Sequence, residues 1–371
     1  MPVLPRRPAW SGTPLLAAAA WLTSPLTADD YLGLVDPLLC ARHPAGRVVA
    51  ARPETDDATT LLIKPGRGWA GHKAGQYLAI GVRIDGALHW RTYSLTCPPE
   101  PTDGLLSITV HAAAGGRVSP RLAHETPSGT VLRLGPAQGD FSLPDPPPPR
   151  ILMLTAGSGI TPVMGMLRTL AERPPTGPHP DVLLLHSTRT IRECIFRDEL
   201  QAMHRQLSWF RFVPHHTRPG GAPSRHLTPG HVAGLCPDWR EREAWACGPE
   251  AMLQAVEAHW AEARVTERLH VERFRMAPFL PHDSDTSGGR VRFLRTGVDA
   301  DAGTTVPLLE VGEQAGVAMP YGCRRGLCFG CLTPLAHGRV RDLRTGEIHD
   351  EPGRLIQTCV SAAAGPLALD I

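Results

Sequence analysis

Lysine is nearly missing from this 371-residue chain: Lys64 and Lys73 are the only two, and arginine supplies the rest of the 38 basic residues. Together with the alanine load and 38 prolines, that bias reads as the imprint of a GC-rich coding sequence. A net charge of one sign is lacking as well. The formal value of +2 excludes a broad field that would draw the chain to nucleic acid or to an anionic bilayer. No apolar run reaches the ~20 residues that span a bilayer. Cysteine is sparse for the length, nine in all and odd in number, whereas disulfide frameworks belong to short, cysteine-dense secreted domains. What remains is a globular chain long enough for two or three domains, each with its own core.

Three of the nine cysteines crowd into YGCRRGLCFGC, residues 321–331, as Cys323, Cys328 and Cys331. A zinc site usually pairs two short Cys or His arms, and only one C-x2-C arm is present. The spacing C-x4-C-x2-C with a distant fourth cysteine is what a plant-type [2Fe-2S] cluster needs. Cys359, in LIQTCVSAAAGPLALDI, supplies the fourth thiolate. Gly322, Gly326 and Gly330 suit a loop that must bend tightly and aim bare N–H groups at sulfur. The stretch VPLLEVGEQAGVAMPYGCRRGLCFGC, followed by LIQTCVSAA, resembles a plant-type ferredoxin domain. That resemblance implies a β-grasp fold and an electron carrier, which needs a donor upstream.

The chain divides accordingly. Residues 1–46 read as an N-terminal helical extension. Its Arg6, Arg7 and PLLAAAAWL imitate a secretory signal, but the motifs below require nicotinamide, so the expectation is a short helix packing on the body or a partner, in the cytoplasm. Residues 47–146 carry short β-rich runs split by Gly, Pro and Asp turns, the pattern of a small antiparallel barrel. A proline-rich joint, LPDPPPPR, leads into residues 150–278, where apolar strands such as RILMLTAG and DVLLLHST alternate with helical stretches, as in a parallel α/β sheet. LPHDSDTSGG, residues 280–289, reads as a polar linker into the iron–sulfur domain at 290–371.

RTYSLT, starting at Arg91, resembles the R-x-Y-S signature of the ferredoxin-NADP reductase superfamily. The resemblance implies that Tyr93 offers its ring to the isoalloxazine, Ser94 a hydroxyl near the hydride-accepting nitrogen, and Arg91 a cation for pyrophosphate, with Thr92 between them. Val110 and His111 match the superfamily's Val-Lys step, with histidine standing where lysine is usual. Gly116, Arg117, Val118 and Ser119, in GGRVSPRL, resemble the second flavin motif, which favours FAD over FMN. TAGSGITPVMGML follows an apolar strand and opens a helix, and it resembles the nicotinamide motif through Gly157, Gly159, Thr161 and Pro162. Cys247, Gly248 and Pro249 match the superfamily's C-G-P, which sets the cysteine beside the nicotinamide ring. Phe274, in VERFRM, is implied as a flavin shield, with a core aromatic as the alternative.

These parts imply a route from nicotinamide through FAD to the [2Fe-2S] cluster, since hydride carries two electrons and the cluster takes one. Ser187, Thr188 and Arg189 stand where the superfamily reads the ribose 2′ position, so NADPH is expected over NADH. Nearly the full length resembles actinobacterial reductases that feed membrane-bound di-iron fatty acid desaturases, the stearoyl-CoA desaturase partners. Reductases of ring-hydroxylating oxygenases and cytochromes P450 share the same motifs, and a non-enzymatic redox sensor is the alternative of a different class. The expected partner is therefore an electron-acceptor protein, desaturase or oxygenase, met in the cytoplasm or at the inner face of the membrane. Residues 290–371 balance nine carboxylates against nine arginines. Two of those arginines, Arg324 and Arg325, lie in the cluster loop, which predicts docking through positive charge.

Overall fold

The computed structural model describes residues 28–84, 87–173, 179–218, 226–274, 288–322, 324, 326, 330–343 and 346–371. Six antiparallel strands come first: β1 (Ala45–Thr55), β2 (Ala58–Pro65), β3 (Tyr77–Ile84), β4 (Ala87–Ser94), β5 (Leu106–His111) and β6 (Val131–Gln138). Their order is β4-β3-β6-β1-β2-β5, and an antiparallel bridge between Leu95 and Ile108 ties the end of β4 back to β5, closing a barrel. Alternation along the strands sends Leu61, Ile63, Leu78, Ile80 and Ile108 into its core. The barrel starts slightly before residue 47, because Ala45 and Gly46 already pair with Arg133 and Leu132.

Of the N-terminal extension, residues 1–27 lie outside the described residues. The rest forms helix α1 (Ala28–Val35) and a turn at Pro37–Leu39. Asp29 ties them down by accepting the backbone N–H groups of Ala41 at 3.0 Å and Arg42 at 2.7 Å.

The second sheet is parallel throughout. It contains β7 (Arg150–Ala156), β8 (Asp181–Thr188), β9 (Phe210–His216), β10 (Glu243–Cys247) and β11 (Leu269–Glu272), in the order β11-β10-β7-β8-β9. Helices α3 (Ile160–Glu172) and α4 (Arg197–Gln206) pack on one face, α5 (Pro229–Leu235) and α6 (Glu250–Glu262) on the other. Burial on both faces explains why β7 and β8 read as unbroken apolar runs.

Barrel and parallel sheet share a seam. A Cβ built on Gly165 of α3 would sit 2.6 Å from the Leu95 carbonyl oxygen, so only glycine lets the helix lie against the end of β4. One turn later Arg168 donates from Nη1 to the Thr96 carbonyl at 2.8 Å and forks onto Glu199 at 2.8 and 2.6 Å.

The third sheet is mixed. β12 (Gly289–Phe293), β13 (Val298–Ala302), β14 (Leu332–Asp342), β15 (Ile348–His349) and β17 (Ser361–Leu369) run in the order β13-β12-β17-β14-β15, and β16 (Leu355–Gln357) pairs with β14. Helix α7 (Leu308–Gln314) packs Leu308, Leu309 and Val311 into a core with Phe293, Leu335 and Leu367, completing the β-grasp arrangement. Of the expected linker, residues 280–287 lie outside the described residues. Its final Gly289 is already in β12, paired with Ala302.

Candidate functional site

The R-x-Y-S segment forms the last four residues of β4. Ser94 is buried, and Tyr93 packs its ring partly on the barrel core. Thr92, just before them, is partly buried. Arg91 donates from Nη1 to two carbonyl oxygens, its neighbour Trp90 at 2.7 Å and Gly322 of the cluster loop at 3.0 Å. Val110 is fully buried on β5, while the exposed His111 brings its Nε2 to 2.9 Å from an Asp57 carboxylate oxygen. Gly116 and Arg117 are exposed in the turn before α2 (Ser119–His124), and Val118 is buried. The Ser119 hydroxyl accepts the Ala113 N–H at 3.1 Å, so this turn is shaped before any phosphate arrives.

The nicotinamide motifs meet at the C-terminal ends of β7 and β10, neighbours in the parallel sheet with Thr155 opposite Cys247. A Cβ on Gly159 would lie 2.1 Å from the Cys247 carbonyl oxygen, and one on Gly248 would lie 2.8 Å from the end of Met252. Gly157, at φ 54°, faces open space. The two loops thus interlock behind and leave room in front, a cradle suited to a dinucleotide phosphate at the start of a long helix. Thr161 and Pro162 are buried in the first turn of α3, where the Thr161 hydroxyl donates to the Ser158 carbonyl at 3.0 Å. Pro249 caps α6.

Cys247 is fully buried, and loss of solvation pushes its thiol well above the ordinary range, with the nearby Glu272 adding. Phe274 packs against the apolar cluster that contains Cys247. Ser187 and Thr188 are buried at the end of β8. Arg189 reaches outward and is paired with Glu193 at 2.6 Å, so a carboxylate does stand at the ribose-reading segment, four residues on.

In the cluster loop, Cys323, Cys328 and Arg325 lie outside the described residues. Cys331 and Cys359 are buried with their sulfurs 3.2 Å apart, too far for a disulfide bond near 2 Å. The Gly326 N–H donates to the Cys359 sulfur at 3.2 Å, and Gln357 donates to the Gly326 carbonyl at 2.8 Å. Converging sulfurs backed by an N–H donor fit an iron–sulfur cluster. Arg324 departs from expectation. Its guanidinium forks onto Glu313 at 2.8 and 2.5 Å and lies 4.5 Å over the Tyr321 ring, so its charge is largely neutralised within the domain.

Two features escaped sequence reasoning. Glu272 stands opposite Cys247 in the β10–β11 register, and burial raises its carboxyl to about 7, with Asp140 adding repulsion. It lies in VERFRM, where only the aromatic was read. His89, two residues before Arg91, is 4% exposed and meets Tyr321; the period of two along β4 was the available signal.

Fold and site together define a pyridine-nucleotide oxidoreductase with a flavin barrel and an iron–sulfur domain. Residues 65–143 match the oxidoreductase FAD-binding domain family, 153–258 the oxidoreductase NAD-binding domain family, and 293–364 the 2Fe-2S iron-sulfur cluster binding domain family. The chain is similar to an NADPH oxidoreductase of Mycobacterium tuberculosis, 44% identical over 369 residues that cover 99% of this chain and 94% of the relative. It is also similar to the stachydrine N-demethylase reductase subunit of Rhizobium meliloti, 29% identical over 319 residues, 82% of this chain and 89% of the relative. Among solved structures, phthalate dioxygenase reductase has the same fold, with a TM-score of 0.60 and 23% identity over 88% of this chain and 97% of that one. The chain belongs to the ferredoxin-reductase-type family of FAD- and NAD-binding electron-transfer oxidoreductases that carry a 2Fe-2S domain.

Proposed function

We propose that the chain carries electrons from NADPH through FAD and a [2Fe-2S] cluster to a membrane-bound di-iron fatty acid desaturase of the stearoyl-CoA type. The observation that carries the internal route is the Arg91–Gly322 hydrogen bond, which joins the flavin strand to the residue before Cys323. Bound FAD supplies the exchange between one hydride and two single electrons. Overall, one NADPH and two oxidised acceptors give NADP+, one proton and two reduced acceptors.

The chain's own residues fill distinct roles in this reading. Arg91, Thr92, Tyr93, Ser94, Val110 and His111 hold the flavin end, and Gly116, Arg117, Val118 and Ser119 its second phosphate. Gly157, Gly159, Thr161 and Pro162 cradle the nicotinamide phosphates, while Ser187 and Arg189 read the ribose. Cys247, with Gly248 and Pro249, presents an uncharged thiol against the nicotinamide ring, because its burial opposes thiolate formation. Ser94 orients the flavin edge, Glu272 holds a proton near neutral pH beside Cys247, and Phe274, packed against the same apolar cluster, shields the flavin. Cys323, Cys328, Cys331 and Cys359 ligate the cluster.

For the acceptor, the near-full-length resemblance to desaturase reductases is supported by the apolar surface of α1, where Leu34 is 76% and Val35 82% exposed beside Tyr31. Such a surface suits a partner lodged in the membrane's inner face. Among the described residues no helix is long and apolar enough to cross a membrane. A second reading, an oxygenase acceptor, is favoured by the similarity to a glycine betaine monooxygenase reductase subunit. Reconstituting NADPH-driven turnover with a di-iron desaturase, a Rieske-type oxygenase and a P450 separates them: the proposal expects the desaturase to turn over fastest, and turnover only with an oxygenase or P450 replaces it.

A further inference from the structure

Side chains alternate along a strand, so His89, Arg91 and Tyr93 share one face of β4. The last two carry the flavin signature, yet the upstream part of that face is not exposed to water. His89 is 4% exposed, its ring lies 5.7 Å from that of Tyr321 at a 56° tilt, and its Nδ1 is 3.5 Å from the Tyr321 hydroxyl, the outer limit of a hydrogen bond. Arg91 binds the next carbonyl, Gly322, at 3.0 Å. A guanidinium has five donors, so holding Gly322 through Nη1 is compatible with holding a phosphate through the others. On the far side Arg324 covers the Tyr321 ring at 4.5 Å and is itself clamped by Glu313 of α7. A continuous chain of contacts thus runs from the flavin strand, through the two residues that precede Cys323, into the body of the iron–sulfur domain.

We infer that His89 and Tyr321 form a docking contact, completed by Arg91 and Gly322, that fixes the cluster loop on the flavin strand and sets how fast single electrons cross between them. The inference rests on the electron route proposed above. With both groups bound, the two electrons of one hydride would cross from flavin to cluster one at a time, and a single proton would be released over the pair of crossings, as in the overall balance above. His89 and Tyr321 are positioning residues: they act by holding Gly322 in register with the flavin strand. The rate of electron transfer falls with the separation of donor and acceptor, so a loosening here is visible in kinetics.

The test uses the full-length protein carrying both cofactors, with His89→Ala, Tyr321→Leu and their combination. Flavin and cluster absorbance and NADPH–ferricyanide turnover should stay at wild-type levels. Cluster reduction, followed by anaerobic stopped-flow after flavin bleaching, should slow severalfold in each single variant. The double variant should be no slower than the worse single one, as expected for two halves of one contact. Amide exchange in residues 320–326 should quicken in His89→Ala. Wild-type cluster reduction in either variant, or fully additive effects, overturns the inference. If these truncations do not load cofactors, His89→Gln and Tyr321→Met decide by the same rate: slowing supports the contact and a wild-type rate overturns it. A wild-type protein that bleaches its flavin but never reduces its cluster overturns the electron route itself, and this inference with it.

Discussion

The backbone carbonyl of Cys247 closes over residue 159 so tightly that a Cβ there would come within 2.1 Å of its oxygen. The contact welds the Gly157–Gly159 turn after β7 to the C-G-P turn after β10, and backbone on both sides leaves no flexible side chain to yield. Gly159→Ala should therefore push the two loops apart, lower thermal stability by about 1–3 kcal/mol, and raise the KM for NADPH at least about tenfold. Flavin and cluster content should not change. Steady-state ferricyanide reduction across NADPH concentrations checks this, and an unchanged KM would show that the loops do not form the nicotinamide cradle.

Serine at Cys323, Cys328, Cys331 or Cys359 should abolish or distort the cluster's visible and EPR spectra while leaving FAD bound. The described pair already shows the required convergence, two sulfurs 3.2 Å apart with an N–H donated to one of them. An intact cluster in Cys359→Ser would remove Cys359 from the ligand set.

Glu272 carries a pH dependence with a defined sign. Its carboxyl is raised from the ordinary 4.5 to about 7 by burial. Between those values the folded chain keeps a proton that the unfolded chain has released, so the contribution is complete below 4.5 and is lost as pH rises through 7. Glu272→Gln has no proton to lose. It should melt progressively higher than wild type as pH goes from about 5 to about 8.5, by up to about 3 kcal/mol. A constant difference in melting temperature across that range would assign Glu272 an ordinary titration.

Arg189 is held by Glu193, which offers a two-sided test of nucleotide choice. Removing the guanidinium with Arg189→Ala should lower the ratio of kcat/KM for NADPH over NADH, and Glu193→Gln, which releases it, should raise that ratio. Each change should be about tenfold or more, the scale of a charge-assisted contact of about 1.5–3 kcal/mol. Equal ratios in all three proteins would place 2′-phosphate recognition elsewhere.

Much of the site was legible because its constraints are local. The cysteine spacing is fixed by cluster geometry within one loop. Gly159 of GSGITP is fixed by an approach distance that only a missing Cβ satisfies and Gly157 by its positive φ, and the motif falls at a strand end as the apolar run of β7 predicts. What could not be read depends on residues far apart in the chain. Arg324 looked like a docking charge until the fold brought Glu313 beneath it. Arg168 carries no motif, yet it joins barrel and parallel sheet through Thr96 and Glu199. His89 acquires meaning only through Tyr321, more than two hundred positions away. Glu272 owes its raised carboxyl to burial behind Cys247, which no local pattern announces.

The central claim is the order of electron flow through this single chain, and anaerobic mixing with NADPH tests it directly. Followed at separate flavin and cluster wavelengths, the wild-type protein should bleach its flavin first and reduce its cluster second, and Cys359→Ser should keep the first phase and lose the second. Cluster reduction that precedes flavin bleaching, or a cluster that stays oxidised while the flavin is fully reduced, would contradict the account.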